Sequence, residues 1–123
     1  MNKLFLIVLI FFTSFKLFGQ SEGTFTITSV SYKIPGESWV KEEPLNSKIV
    51  FNEKIKRIQV YTKKIQIIDY VGFESLSDDN LIFGSFATDS DYNKIYIKFL
   101  IEEKFVYFII EYGDISIKYK LAP

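Results

Sequence analysis

Apolar and polar positions alternate most regularly between Ile95 and Leu121, in the run IYIKFLIEEKFVYFIIEYGDISIKYKL. Ile95, Ile97, Phe99 and Ile101 fall on one phase, with Tyr96, Lys98 and Leu100 on the other. Ile115, Ile117, Tyr119 and Leu121 likewise alternate with Ser116, Lys118 and Lys120. A period of two residues places successive side chains on opposite faces of a strand. The block therefore reads as three antiparallel strands with one buried face. Gly113-Asp114 suits a two-residue hairpin loop with Gly first, as a type II′ turn requires. That loop sets Tyr112 opposite Ile115, Ile110 opposite Ile117, Phe108 opposite Tyr119 and Val106 opposite Leu121. The other hairpin turns at Glu103-Lys104 or at Glu102-Glu103, and both loops keep the same faces inward.

The rest of the chain shows the same habit in shorter pieces. Phe25 and Ile27 share one phase and Val30 and Tyr32 the other, so a bulge is expected near Thr28-Ser29. Pro35-Gly36 marks a turn, followed by the short Ser38–Lys41 piece and a loop at Glu42–Pro44. Lys48–Phe51 is a strand. Lys56–Tyr61 and Lys64–Tyr70 form a hairpin; a Thr62-Lys63 loop would pair Val60 with Ile65 and Ile58 with Ile67. Leu81–Thr88 is a strand in which Gly84 suggests a bulge or bend. No segment has a helical period with caps. The prediction is an all-β domain over residues 20–123, a meander of about eight or nine antiparallel strands closing into a small barrel. Closure would pair the Phe25 strand with the strand near Tyr119; a β-sandwich is the alternative.

Residues 1–19 read differently. Lys3, an apolar run from Leu4 to Phe12 and a more polar end at Gly19 have the form of a secretory signal peptide, cut before Gln20. The expected location is periplasmic or extracellular. Lys3 and Lys16 belong to this leader and every acidic residue follows it, so the mature chain carries a charge of about −2. Such a charge gives no electrostatic case for nucleic acid or for an anionic membrane.

The run IQVYTKKIQIIDYVGF, then LIFGSFATDSDYNKIYIKFL and FIIEYGDISIKYKL, resembles a group of small secreted β-proteins of Bacteroidota and their phages, as does the leader ending Phe18-Gly19-Gln20. The group is functionally uncharacterised. The resemblance implies an exported β-domain and transfers no active site.

The chain has no His and no Cys. Neither Ser-His-Asp and Cys-His nucleophiles nor His- or thiolate-ligated metals have their residues here. Carboxylate chemistry remains, with Asp69, Glu74 and Glu111 as the acids on or near strands for a glycosidase-like pair. Asp89-Ser90-Asp91-Tyr92-Asn93 opens like a calcium loop. Lys94 and Leu100 stand where that loop needs Gly and Glu, so it reads as a turn. Asp78-Asp79-Asn80 reads as another. No catalytic, cofactor or metal residue is assigned.

The leading reading is a secreted, non-catalytic binding domain for a protein, a glycan or a small apolar ligand; a carboxylate-based hydrolase is the alternative. A monomer is expected, with self-association open to it. Tyr96, Leu100, Tyr107 and Ile109 leave the core face together and form a candidate interaction patch. Trp39, Tyr32 and Tyr92 are candidate aromatic contacts to a ligand, set against a core role for Trp39.

Overall fold

In the computed structural model, which describes residues 22–79 and 81–122, the regular elements are all strands. They are β1 (Glu22–Lys33), β2 (Glu43–Asn52), β3 (Arg57–Tyr61), β4 (Ile65–Tyr70), β5 (Glu74–Ser75), β6 (Ile82–Asp89), β7 (Lys94–Ile101), β8 (Val106–Glu111) and β9 (Ser116–Ala122). Their order is β4-β3-β2-β1-β9-β8-β7-β6-β5, with β4 also pairing β6. Eight strands thus close into an antiparallel meander barrel, and β5 is an added short strand. The leader lies outside the described residues.

Closure follows the expected route. Ile27 faces Leu121 and Val30 faces Tyr119 across β1 and β9. The ladder shifts between Ile27 and Ser29 on both sides of β1, which is the bulge that the change of phase demanded. The Thr28 hydroxyl donates to the Lys120 carbonyl at 3.3 Å there. In the C-terminal block Ile101 faces Val106 and Phe99 faces Phe108, so the Glu103-Lys104 loop is the one formed.

The inward faces make a single core. Phe108 and Ile110 are fully buried, with Ile27, Ile49, Ile58, Val60, Ile68 and Ile97. Of the block's predicted core face only Ile115 is exposed. Toward one end the core is aromatic, with Phe51 and Phe108 each 5.2 or 6.1 Å from a ring partner, and Phe99 at 5.0 Å from Phe73. An eight-stranded barrel is just wide enough for its side chains to fill it.

Three local expectations are corrected. The β3–β4 loop holds Thr62, Lys63 and Lys64, so Ile58 faces Ile68 and Val60 faces Gln66. Ile65 is therefore 51% exposed, outside the core. This register buries Ile68 and sets Arg57 opposite Asp69 in a 2.7 Å ion pair; it also leaves the Gln66 Oε1 buried without a hydrogen-bond partner. Second, Gly84 is no bulge, because the β6–β7 ladder runs through it without a shift. A Cβ there would come within 2.7 Å of Leu76 Cδ1 and collide with the Tyr96 ring, so the glycine is a seat for side chains on the outer face. Third, residues 38–41 form no strand, and β2 begins at Glu43 instead of after the expected loop.

The other seam joins β4 and β5 to β6. Tyr70 faces Ala87 and Glu74 faces Gly84, with the chain offset between them. The buried Ser85 hydroxyl bridges the offset, accepting the Gly72 N–H at 3.0 Å and donating to the Phe86 carbonyl at 2.9 Å.

Gly113 has φ +88°, and the Tyr112 N–H donates to the Ile115 carbonyl at 2.9 Å across its turn. Nothing lies within 4 Å of a Cβ built at Gly113, so a side chain is opposed by backbone conformation alone. Gly113→Val should cost about 1–3 kcal/mol, read as a lower urea midpoint at unchanged slope.

Candidate functional site

The outward side chains of β1, β9, β8, β7 and β6 fall into rows set by the ladders. One row is Lys33, Ser116, Glu111, Tyr96 and Phe86; the next is Ser31, Lys118, Ile109, Lys98 and Gly84; the third is Ser29, Lys120, Tyr107, Leu100 and Ile82. Tyr96, Leu100, Tyr107 and Ile109 are brought together on this wall, with Leu100 directly opposite Tyr107. They are not equally accessible. Tyr107 and Ile109 are only 7% and 8% exposed, whereas Tyr96 and Leu100 are half-buried. Ile109 lies between Lys98 and Lys118, and Tyr107 between Leu100 and Lys120. Lysine stems cover apolar surface while their heads stay in water.

At the β6 edge the wall is open and aromatic. Phe86 is 69% exposed and meets Tyr96 edge-on at 5.0 Å. Tyr96 occupies the seat above Gly84, beside the exposed Leu76. Exposed Val71 is joined to the same strand by its N–H, which donates to the Phe86 carbonyl at 3.0 Å. Sequence reading passed over Phe86, although it shares the outward phase of Ile82 and Gly84.

At the β1 edge a strap, residues 34–42, lies over the wall. It turns at Gly36, with φ +82°, and its Val40 N–H donates to the Tyr32 carbonyl at 2.8 Å. The buried Ser31 hydroxyl donates to the Val40 carbonyl. Glu42 ends the strap in a 2.9 Å ion pair with Lys120 and accepts from the Ser29 hydroxyl at 3.4 Å. The hydrogen bond from Lys120 holds the Glu42 carboxyl below the usual carboxylate range, and Glu42 raises Lys120 in return. The strap sets Trp39 with its ring centroid 4.5 Å from the Lys118 ammonium, which lies 5.0 Å from the Tyr107 ring. Lys120 stands 4.3 Å from the Phe105 ring.

No family model matches the chain, and no curated protein does. Among solved structures the chain is similar to HpuA from Kingella denitrificans, determined in complex with human haemoglobin. The match covers 89% of this chain and 45% of that one, at 8% identity and a TM-score of 0.39. The chain thus spans less than half of that protein's length. A likeness at this level carries no argument about ligand or partner.

The other residues singled out by sequence are dispersed. Tyr32 is on the inward phase of β1 opposite Ile117, near the barrel mouth, while Trp39 lies over the outside of β9. Tyr92 projects from the β6–β7 turn with φ 64°. These three aromatics do not share one surface. Asp69 is held by Arg57, and Glu111 by Lys98 at 3.1 Å, with β6 and β7 between Glu111 and the exposed Glu74. In the Asp89 turn the carboxylate accepts the Asp91 and Asn93 N–H groups, each at 2.9 Å, and the Asn93 side chain at 3.0 Å. Burial pushes its pKa up, yet these bonds hold it below the ordinary aspartate value. The turn thus spends its first acid on its own backbone. In the second polar loop Asp79 accepts the Leu81 N–H in the same manner, and Asn80 lies outside the described residues.

An open depression of about 530 Å³ lies where the β1–β2 ladder is interrupted, lined by Thr26, Ile27, Thr28, Pro44, Leu45 and Asn46. Its lining offers hydroxyls, an amide and aliphatic surface but no ionisable group.

Proposed function

We propose that this chain is an exported, non-catalytic binding domain that docks a protein partner through the Phe86 end of its outer wall. The observation that carries the reading is Phe86, 69% exposed and supported from beneath by Tyr96 on the Gly84 seat. An aromatic side chain held in place at the centre of an apolar spot is the form that binding hot spots take. Lys98 and Glu111 rim it with both signs of charge, which suits a protein surface better than a polyanion. The ring cluster inside the barrel favours the wall over the interior as the binding surface. The barrel is apolar within and bears Lys48, Lys98, Lys118 and Lys120 outside, the reverse of a membrane-spanning barrel. Export rests on the leader and on the resemblance to secreted β-proteins.

The test is site-specific photo-crosslinking in the exporting cell. A benzophenone side chain at position 86 should give a discrete protein adduct, on a chain whose intact mass begins at Gln20. The same group at Lys48, on the opposite wall, should give none. Phe86→Ala should weaken the captured complex by roughly 2 kcal/mol or more, about thirtyfold. Adducts of equal yield from both positions, or none from position 86, would overturn the proposal.

A further inference from the structure

We infer a second binding site on the same wall, centred on Lys118 and Trp39, for the carboxylate-bearing ring of an acidic sugar such as a hexuronate. Lys98, Lys118 and Lys120 lie together on this wall, on β7 and β9. Lys98 is paired with Glu111 at 3.1 Å and Lys120 with Glu42 at 2.9 Å. Among the described residues, Lys118 makes no ion pair. Its ammonium is held instead by two rings, Trp39 at 4.5 Å and Tyr107 at 5.0 Å. Cation–π contacts position an ammonium without neutralising it. Its charge and N–H donors therefore remain available to an anion. Glu42 is the nearby acid that feels Lys118, but Lys120 and Ser29 already hold it.

The rings narrow the ligand class. An inorganic anion would use the ammonium alone, whereas a pyranose carboxylate also brings an apolar C–H face to pack on an aromatic ring. Trp39 is half-buried, so part of its surface remains accessible. Lys33, in the adjoining row of the wall, adds positive charge on the same side. The site is three strands from Phe86, about 14 Å along the wall, and stands or falls independently of the protein-docking reading.

Trp39 is the only Trp in the chain, so its emission reports on this site alone. Titration with trigalacturonate should change that emission saturably, and galactotriose should bind at least about tenfold more weakly, the usual consequence of losing a charge-assisted hydrogen bond. Lys118→Met should weaken trigalacturonate at least tenfold; Lys118→Arg should retain it, and Phe86→Lys should leave it unchanged. Melting curves of each variant show whether it is folded. Equal responses to the acidic and neutral sugars, saturation by acetate at the same concentration, or no response at all in the wild-type protein would overturn the inference without reference to any variant.

Discussion

Phe108→Ala should destabilise the barrel by about 3–5 kcal/mol, the range for deleting a fully buried aromatic side chain. Phe108 is fully buried in β8, the middle strand of the C-terminal block. Phe99 and Tyr119 flank it in register, and its ring packs 5.2 Å from Phe99 and 6.1 Å from Phe51. Phe51 comes from the other half of the meander, so the deletion leaves a void where the two halves meet. The rigid ladders on each side restrict collapse into that space. At about 4–8 °C per kcal/mol for a domain of this size, a fall in melting temperature of at least about 12 °C is expected. Phe86→Ala is the control: it removes the same ring from an exposed position and should change stability by about 0.5 kcal/mol or less. Similar midpoints for the two variants would mean that the β8 side chains are assigned to the wrong faces.

The second large effect separates two isoleucines of one strand. Ile68→Ala should cost about 2–5 kcal/mol, because Ile68 is fully buried opposite Ile58. Ile65→Ala should cost about 0.5 kcal/mol or less, its side chain being largely in water. Urea denaturation of the pair reads the register directly. Equal costs, or the reverse order, would restore the two-residue loop at Thr62-Lys63.

That strand also shows where sequence reading stops. In the C-terminal block lysines occupy one phase, so a slip of one residue would push charge into the core and the register is legible. In IQIIDY, Ile67 and Ile68 are adjacent and Ile65 shares the phase of Ile67, so apolar count favours the wrong face. What decides it is barrel closure, which needs Ile68 inside and tolerates Gln66 there. Part of the outer wall was hidden for a similar reason. Val106–Ile110 is apolar on both phases, which reveals that both faces are covered without revealing what covers the outer one. The strap is remote in the chain, and its approach depends on a serine hydroxyl at position 31 and an ion pair from Glu42 that no local pattern announces. Phe86 was legible in phase but not in partner, since its pairing with Tyr96 depends on the length of the Asp89–Asn93 turn.

The divided seam on β6 has a consequence for the motion of the barrel. β4 contributes three ladder pairs to it and β5 two, whereas β6 and β7 share seven on the opposite edge. A barrel breathes where its staves are held least, and local opening draws on the least cooperative part of a structure. Here the offset between the two short ladders is bridged by the Ser85 hydroxyl, which accepts the Gly72 N–H, and by the Val71 N–H, which donates to the Phe86 carbonyl. Release of β5 bares the β6 backbone at Phe83 and Gly84, two residues along the strand from Phe86, and leaves N–H and C=O groups there open to another strand. The aromatic spot and the least-paired joint of the cylinder therefore adjoin on one strand. A partner arriving at Phe86 meets a surface that can lend it main-chain hydrogen bonds as well as a ring, in the manner of strand addition to a sheet.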